Sequence, residues 1–263
     1  MILTLALAQI DITLGDKAAN RARAWQCITQ AATSRAHLLI LPELWSTGYV
    51  LPQVEQLAEP IPHGPTARWL SQSAGQAQLW LTGSHLEATP QGNFNAAALY
   101  GPQGQIIGPY RKIHRFGPMH EDVWLSAGCT PGLFELPWGK TGIAICYDLR
   151  FPELFRHYAL AGARLILLPS QWPRPRLHHW RTLVQARAIE NQCFIVALNR
   201  SGRDAHNIFA GHSMVVGPWG DIIAEAGAEP ELLMATIDLD EVEVARARIP
   251  ILADRRPQCY TSP

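Results

Sequence analysis

The sequence has no charge of one sign to spare, with 22 Lys and Arg against 22 Asp and Glu. That balance excludes the basic field that a nucleic acid or an anionic membrane surface would need as a partner. Cysteine is scarce: five residues, at 27, 129, 146, 193 and 259, form no C-x-x-C pair and leave one over. Such usage points to free thiols in a reducing compartment, not to a disulfide framework, and the expected location is the cytoplasm. No uninterrupted apolar run approaches the roughly 20 residues of a membrane span. The apolar opening MILTLALAQI has no Lys or Arg ahead of it and runs directly into Asp11, so it reads as a first strand and not as a leader. There is no H-E-x-x-H and no cysteine–histidine cluster, so neither a metal nor another cofactor is expected. His178 and His179 are adjacent in an expected helix and point in different directions, which suits solvation or packing better than chelation. The absence of G-x-S-x-G removes the serine α/β-hydrolase reading. Gly132…Gly139-Lys140-Thr141 imitates a phosphate loop, but the gap is too long and a strand follows where a helix is required.

What is there is a well-supplied core. With 48% hydrophobic and 17% charged residues, the 263-residue chain has the composition of a compact globular protein. No low-complexity linker interrupts it, so one domain, 1–263, is expected. Strands are expected at 2–9, 37–41, 79–86, 133–136, 165–168, 194–198 and 233–237. Helices are expected at 18–34, where Ala22, Trp25, Ile28 and Ala32 recur at helical spacing, and at 66–75, 152–161, 177–191 and 239–248. Gly101-Pro102-Gln103-Gly104 joins a hairpin of 96–100 and 105–110, and Pro218-Trp219-Gly220-Asp221 joins another of 212–216 and 222–226. A turn at Trp138-Gly139 pairs 133–136 with the strand leading to Cys146. Residues 45–65, 113–131 and 170–176 read as loops, and 250–263 as a tail. Strand–helix–strand units mixed with hairpins imply partly parallel sheets covered by helices on their outer faces.

The stretch that organises the chain is TGIAICYDLRFPEL, residues 141–154. A buried strand (Ile143, Ala144, Ile145) gives way to a sharp turn, and Pro152 opens a helix. Cys146 stands at the turn. The strand fixes it from below and the following backbone N–H groups point outward, a good mount for a nucleophile. A free cysteine ending a buried strand is also an ordinary small core residue, and this stretch alone does not decide between the two.

Two further residues share that placement: Glu43 after HLLILP and Lys112 after the first hairpin. Strand ends at one rim of an α/β sheet are where sites are assembled. A thiol with pKa near ~8.5 needs a base. A carboxylate such as Glu43 can take its proton, and an ammonium such as Lys112 can stabilise thiolate and tetrahedral oxyanion. Taken singly, Glu43 also reads as a helix-entry carboxylate and Lys112 as a surface lysine.

Together, LPELWSTGY around Glu43, YRKIHRFG around Lys112 and GIAICYDLRFPEL around Cys146 resemble the three signature blocks of the nitrilase, or carbon–nitrogen hydrolase, superfamily, in the family's order. The likeness runs from Leu5 to the last strand. It implies a four-layer αββα sandwich, a homo-oligomer (dimer or larger), no cofactor, and a small-molecule amide as partner. It implies Cys146 as nucleophile forming a thioester, Glu43 as general base and later acid, and Lys112 as oxyanion stabiliser. Glu121, in GPMHEDVWLSAG, matches a second glutamate that orients Lys112 or the substrate, and the Tyr147 N–H matches a second oxyanion donor.

CYDLRFPEL and SQWPRPRLHHWRTLVQARAIENQ resemble the omega-amidase branch, whose members deamidate 2-oxo dicarboxylic monoamides such as 2-oxoglutaramate. The branch carries alanine or glycine and then asparagine before Trp-Pro; here Ser170 and Gln171 stand there. A carboxylated substrate calls for arginine, with its bidentate fork. Arg174 and Arg176 in the Trp172 loop are the candidates, ahead of Arg150, which is close enough in sequence to pair with Glu153. Tyr49, Phe116 and Trp172 are expected pocket walls. The competing readings are an N-carbamoyl amidase or a nitrilase proper, and, from a different class, a catalytically silent binding or scaffold member; the intact Glu43, Lys112 and Cys146 speak against the last.

Overall fold

The computed structural model describes residues 1–260; the last three positions of the expected tail and of the expected 1–263 domain lie outside the described residues. The first half of the chain builds one sheet and its helices: β1 (Ile2–Gln9), α1 (Lys17–Thr33), β2 (Leu38–Ile40), α2 (Val54–Leu57), α3 (Pro65–Ala77), β3 (Trp80–Thr89), β4 (Gly92–Tyr100), β5 (Ile106–Arg111) and α4 (Glu121–Trp124). The second half builds the other: β6 (Gly132–Leu136), β7 (Gly139–Ile143), α5 (Pro152–Leu160), β8 (Leu165–Ser170), α6 (Leu177–Asn191), β9 (Phe194–Asn199), β10 (Met214–Val216), β11 (Ile222–Glu225), β12 (Glu231–Asp238) and α7 (Glu241–Arg248). The spatial orders are β12-β1-β2-β3-β4-β5 and β11-β10-β9-β8-β7-β6. In each sheet three central strands are parallel, β1-β2-β3 and β7-β8-β9, and antiparallel strands flank them. β12, from the end of the chain, closes the first sheet beside β1.

Side-chain alternation sets the layers. Along β1, Leu3, Leu5 and Leu7 pack into the core shared with the second sheet, and Ala6 and Ala8 face Ala24, Ile28 and Ala31 of α1 and Leu70 and Ala74 of α3. The second sheet is apolar on both faces, because α5 (Phe155, Tyr158) and α6 (Trp180, Val184, Ala188) cover its outer side. The result is the αββα sandwich. Burying one such leucine stabilises by roughly 1.5–3 kcal/mol, so the inter-sheet seam is the main source of stability. Local signals agree with these bounds: Asp16 caps α1 by accepting from the Ala19 N–H at 2.9 Å, and Pro65 and Pro152 open α3 and α5. Gly142 is required by packing. A Cβ there would lie 2.8 Å from the ring of Tyr158, whose hydroxyl donates to the Ile143 carbonyl at 2.7 Å.

Three expectations change. β3 continues past Leu86 to Thr89 and turns at Pro90-Gln91 into β4, so the strand expected at 96–100 begins at Gly92 and forms a second hairpin. The β6–β7 turn is Pro137-Trp138, with Leu136 opposite Gly139. The loops expected at 45–65 and 113–131 contain the single-turn helices α2 and α4, whose four residues are too few to show a period.

Strand direction creates one rim. β5 runs antiparallel to β4, which runs antiparallel to β3, so β5 points the same way as β2. The carboxyl ends of β2, β5, β7 and β8 then deliver Glu43, Lys112, Cys146 and Gln171.

Candidate active site

Lys112 leaves β5 with its N–H bonded to the Asn95 carbonyl at 2.8 Å, which fixes the direction of its side chain. Its ammonium donates to Glu43 Oε1 at 2.8 Å and to both oxygens of Glu121 at 2.9 Å. Asn95 Nδ2 donates to Glu43 Oε1 at 2.9 Å and to Glu121 Oε1 at 3.3 Å. The other Glu43 oxygen accepts the Gln171 backbone N–H at 3.0 Å, and the Gln171 side chain donates to the Glu43 carbonyl at 2.6 Å. Glu121 also accepts from the Tyr49 hydroxyl at 2.9 Å and the Phe116 N–H at 2.6 Å. All of Glu43, Asn95, Lys112, Glu121 and Gln171 are buried.

Cys146 follows two buried residues beyond β7 and opens a 3₁₀ turn, Cys146–Arg150. Its φ is +46°, a left-handed conformation that costs an L-residue roughly 1–2 kcal/mol. Asp148 holds that turn. Its Oδ2 accepts the Ile145 N–H at 2.8 Å and the Tyr110 hydroxyl at 2.6 Å, and its Oδ1 accepts the His114 N–H at 3.1 Å. His114 Nδ1 adds a fourth contact at 2.7 Å and stacks its ring on Phe151 at 3.6 Å.

Electrostatics follow from burial. The Cys146 thiol is pushed well above its usual value by burial, and the neighbouring Glu43 charge adds to the rise while Lys112 opposes it. The resting sulfur is therefore a neutral thiol that needs a base. Burial works against the Lys112 ammonium, but Glu121 and then Glu43 more than offset it, so its pKa is raised and the charge is permanent at working pH. Tyr49 is pushed up by burial and by the two carboxylates, so it remains a donor.

The pocket beside the thiol is lined by Phe116, Cys146, Tyr147, Arg150, Gln171, Trp172, Pro173 and Arg176, and encloses ≈ 240 Å³ with the solvent at its mouth. Phe116 and Tyr147 face each other at 4.9 Å, and the Trp172 indole donates to the Arg176 carbonyl at 2.8 Å. Arg150 lies over the Trp172 ring at 4.8 Å and Arg176 over Phe116 at 5.4 Å.

The structure thus brings Glu43, Lys112, Glu121, Cys146, Tyr147, Phe116, Trp172 and Arg176 together. Tyr49 touches the cluster through its hydroxyl, behind Glu121, and is not among the pocket's walls. Arg174 is exposed and faces a neighbouring groove with His206, Asn207 and Ile208, because the 3₁₀ turn Arg174–Arg176 directs it away from the thiol. Arg150 makes no ion pair with Glu153 among the described residues; it meets His179 Nδ1 at 3.3 Å and lines the pocket. Sequence reasoning missed Asn95, Asp148 and the backbone of Gln171. Asp148 had a signal, an acid two residues after the strained cysteine, of the type that caps turns.

An αββα sandwich whose one rim gathers a neutral thiol, an ammonium and two carboxylates defines a class: hydrolases with a cysteine, a lysine and a glutamate at their centre. The chain belongs to the carbon–nitrogen hydrolase family, whose model matches residues 4–247. It is 39% identical over 259 residues to a 2-oxoglutaramate amidase of Bacillus subtilis, covering 98% of this chain and 99% of that one. Nit3 of Saccharomyces cerevisiae, a member of branch 10 of the nitrilase superfamily, superposes with a TM-score of 0.90 at 30% identity, covering 97% of both chains. A mutant amidase from Nesterenkonia sp. AN1, with the acetamide moiety of fluoroacetamide covalently added at its active-site cysteine, superposes with a TM-score of 0.86 at 27% identity, over 98% of this chain and 95% of that one.

Proposed function

We propose that this protein is an omega-amidase that releases ammonia from a small 2-oxo dicarboxylic acid monoamide such as 2-oxoglutaramate. The observation that carries the reading is one small pocket lined by Cys146 together with Arg150 and Arg176. It offers an attacking atom for an amide and cations for a carboxylate at the far end of a short chain. The likeness to a 2-oxoglutaramate amidase over nearly the whole of both proteins supports the same substrate class.

The chemistry follows from the contacts. Cys146 Sγ attacks the amide carbon as its proton passes to Glu43. The oxyanion forms against the Lys112 ammonium and the Tyr147 N–H, each such donor being worth about 3–4 kcal/mol in the transition state. Glu121, gripping Lys112 through both oxygens, aims the ammonium. Collapse breaks the C–N bond, and Glu43 hands its proton to the departing ammonia. Water then attacks the thioester with Glu43 again as base, releasing the dicarboxylate and restoring the thiol.

The test is ammonia release from a panel of omega-amides, carbamoyl compounds and nitriles by the wild type and Cys146→Ala. Turnover of 2-oxoglutaramate or a near analogue, abolished in Cys146→Ala, is expected. No turnover of any omega-amide overturns the substrate assignment, and carbon dioxide released with ammonia, or nitrile turnover, replaces it with a carbamoyl amidase or a nitrilase.

A further inference from the structure

The two oxygens of Glu43 are not equivalent. Oε1 receives Lys112 Nζ at 2.8 Å and Asn95 Nδ2 at 2.9 Å, whereas Oε2 receives the Gln171 N–H at 3.0 Å. A carboxylate oxygen has two in-plane acceptor sites, so Oε1 is filled and Oε2 keeps one open. The second Oε1 site is filled by a neutral side chain that does nothing else so specific. Asn95 sits in β4, 2% exposed, and its backbone carbonyl also anchors the Lys112 N–H at 2.8 Å. Its Nδ2 extends a weaker contact of 3.3 Å to Glu121 Oε1, so one amide bridges two like charges. The amide orientation follows from that network: Asn95 Oδ1 has no donor among the described residues, and turning the amide over would press a carbonyl against two carboxylates. An unpaired buried carbonyl is itself costly, so the two carboxylate contacts are what hold the side chain this way.

We propose that Asn95 is a positioning residue that closes Glu43 Oε1, so that the Cys146 proton is delivered to Oε2. This rests on the reading of Cys146 as nucleophile and Glu43 as its base. In the step it governs, the S–H bond breaks, the proton bonds to Oε2, and the sulfur pair is left free to form the C–S bond. The other groups facing Glu43 are the Lys112 ammonium at the end of β5, the Glu121 carboxylate on α4, the Cys146 thiol after β7 and the Tyr49 hydroxyl from the loop after β2. Asn95 supplies a hydrogen bond without adding a charge, so losing it disfavours the ionised carboxylate.

The experiment is the rate of iodoacetamide alkylation at Cys146 against pH, read by mass spectrometry of the Cys146 peptide, in the wild type and in Asn95→Leu, Asn95→Ser and Asn95→Asp. Alkylation uses no amide, so the result does not depend on the substrate assignment. Peptide mapping is needed because Cys129 and Cys259 are also exposed to the reagent. The wild-type rate is expected to rise with pH through an acid limb. In Asn95→Leu that limb moves up by about half a pH unit or more, and the plateau falls about tenfold. Asn95→Asp moves the limb further, because a third carboxylate joins the cluster, and Asn95→Ser falls between. If circular dichroism finds Asn95→Leu unfolded, Asn95→Ser carries the same comparison. A folded variant with the wild-type acid limb overturns the proposal, whatever its plateau. A wild type alkylated at Cys146 no faster than at Cys129 fails differently, by removing the nucleophile reading itself.

Discussion

The Lys112 ammonium donates to Glu43 at 2.8 Å with the two side chains 1% and 0% exposed. An ion pair so thoroughly withdrawn from water rarely repays its desolvation, and replacing it with well-packed apolar groups would usually be neutral or stabilising. Its presence, with Glu121 on the same ammonium, is better explained by chemistry than by stability. One positive and two negative groups leave a net negative cluster beside the thiol, which suits a base and disfavours a resting thiolate.

Lys112→Met should therefore damage both properties. It leaves two buried carboxylates without their cation, an expected cost of about 3–5 kcal/mol. It also removes the proposed oxyanion donor, an expected loss of about 10²–10³ in kcat. Thermal melts and ammonia release measure the two separately. Lys112→Arg is not a rescue, since a planar fork cannot occupy the place of a compact ammonium between Glu43 and Glu121. Wild-type turnover in Lys112→Met would remove Lys112 from the reaction, and in Lys112→Arg it would show that a guanidinium can take the place of the ammonium.

Asp148→Ala tests whether the turn that carries Cys146 is held from this side. Four contacts end on Asp148, and one of them ties the Ile145 N–H directly before the strained Cys146. Truncation is expected to cost about 2–4 kcal/mol through orphaned donors. It is also expected to cost about 10²-fold in kcat through misplacement of the sulfur. A variant that melts early yet turns over at the wild-type rate would show that Cys146 keeps its conformation unaided.

Much of this site was legible in the chain because its charged members interrupt apolar strands at their ends. Glu43 follows HLLILP, Lys112 follows a hairpin, and Cys146 follows GIAI, so strand direction puts each at a strand end and the stacking of the two sheets brings those ends together. The two-sheet sandwich was carried by the family likeness, since periodicity reports which face of a strand is buried and not how many layers cover it. Asn95 was hidden by its own role. The strand expected from Ala96 starts one residue past it, whereas β4 begins at Gly92 and buries the Asn95 side chain against Glu43 and Glu121. Arg174 and Arg150 exchanged places because a 3₁₀ turn, invisible to hydrophobic patterning, decides which guanidinium faces the thiol.

His85 should set part of the acid limit of stability. It lies in β3, 1% exposed, and neither ring nitrogen has a partner among the described residues. Burial holds its pKa down to about 4, with Glu59 opposing. An unfolded chain binds a proton there near pH ~6.5, whereas the folded one resists until about 4. Protonation between those values favours unfolding, so stability is full above ~6.5 and is lost as pH falls toward 4. The expected loss is about 3 kcal/mol. Urea midpoints from pH 7 to 4 should decline less steeply in His85→Phe, and an equal slope would assign the acid sensitivity elsewhere.

The arginines give the sharpest test of the substrate assignment, because two nearly adjacent loops supply three of them and one faces away. Arg150 and Arg176 line the thiol pocket, while Arg174 is turned to the groove with His206 and Asn207. Replacing Arg150 with methionine keeps an apolar stem against Trp172 and removes the charge. A charge-assisted contact to a carboxylate is worth roughly 1.5–3 kcal/mol, or about 10–100-fold in kcat/KM. That loss should appear with 2-oxoglutaramate and vanish with an uncharged amide of the same length, since the variant then has nothing to miss. Arg174→Met should change neither substrate by more than about twofold, as expected of a surface position. If Arg150→Met slows both amides equally, the guanidinium only supports Trp172, and the carboxylate must be sought against Arg176. If Arg174→Met reproduces the selective loss, the carboxylate lies in the outer groove, and the substrate is longer than a five-carbon monoamide.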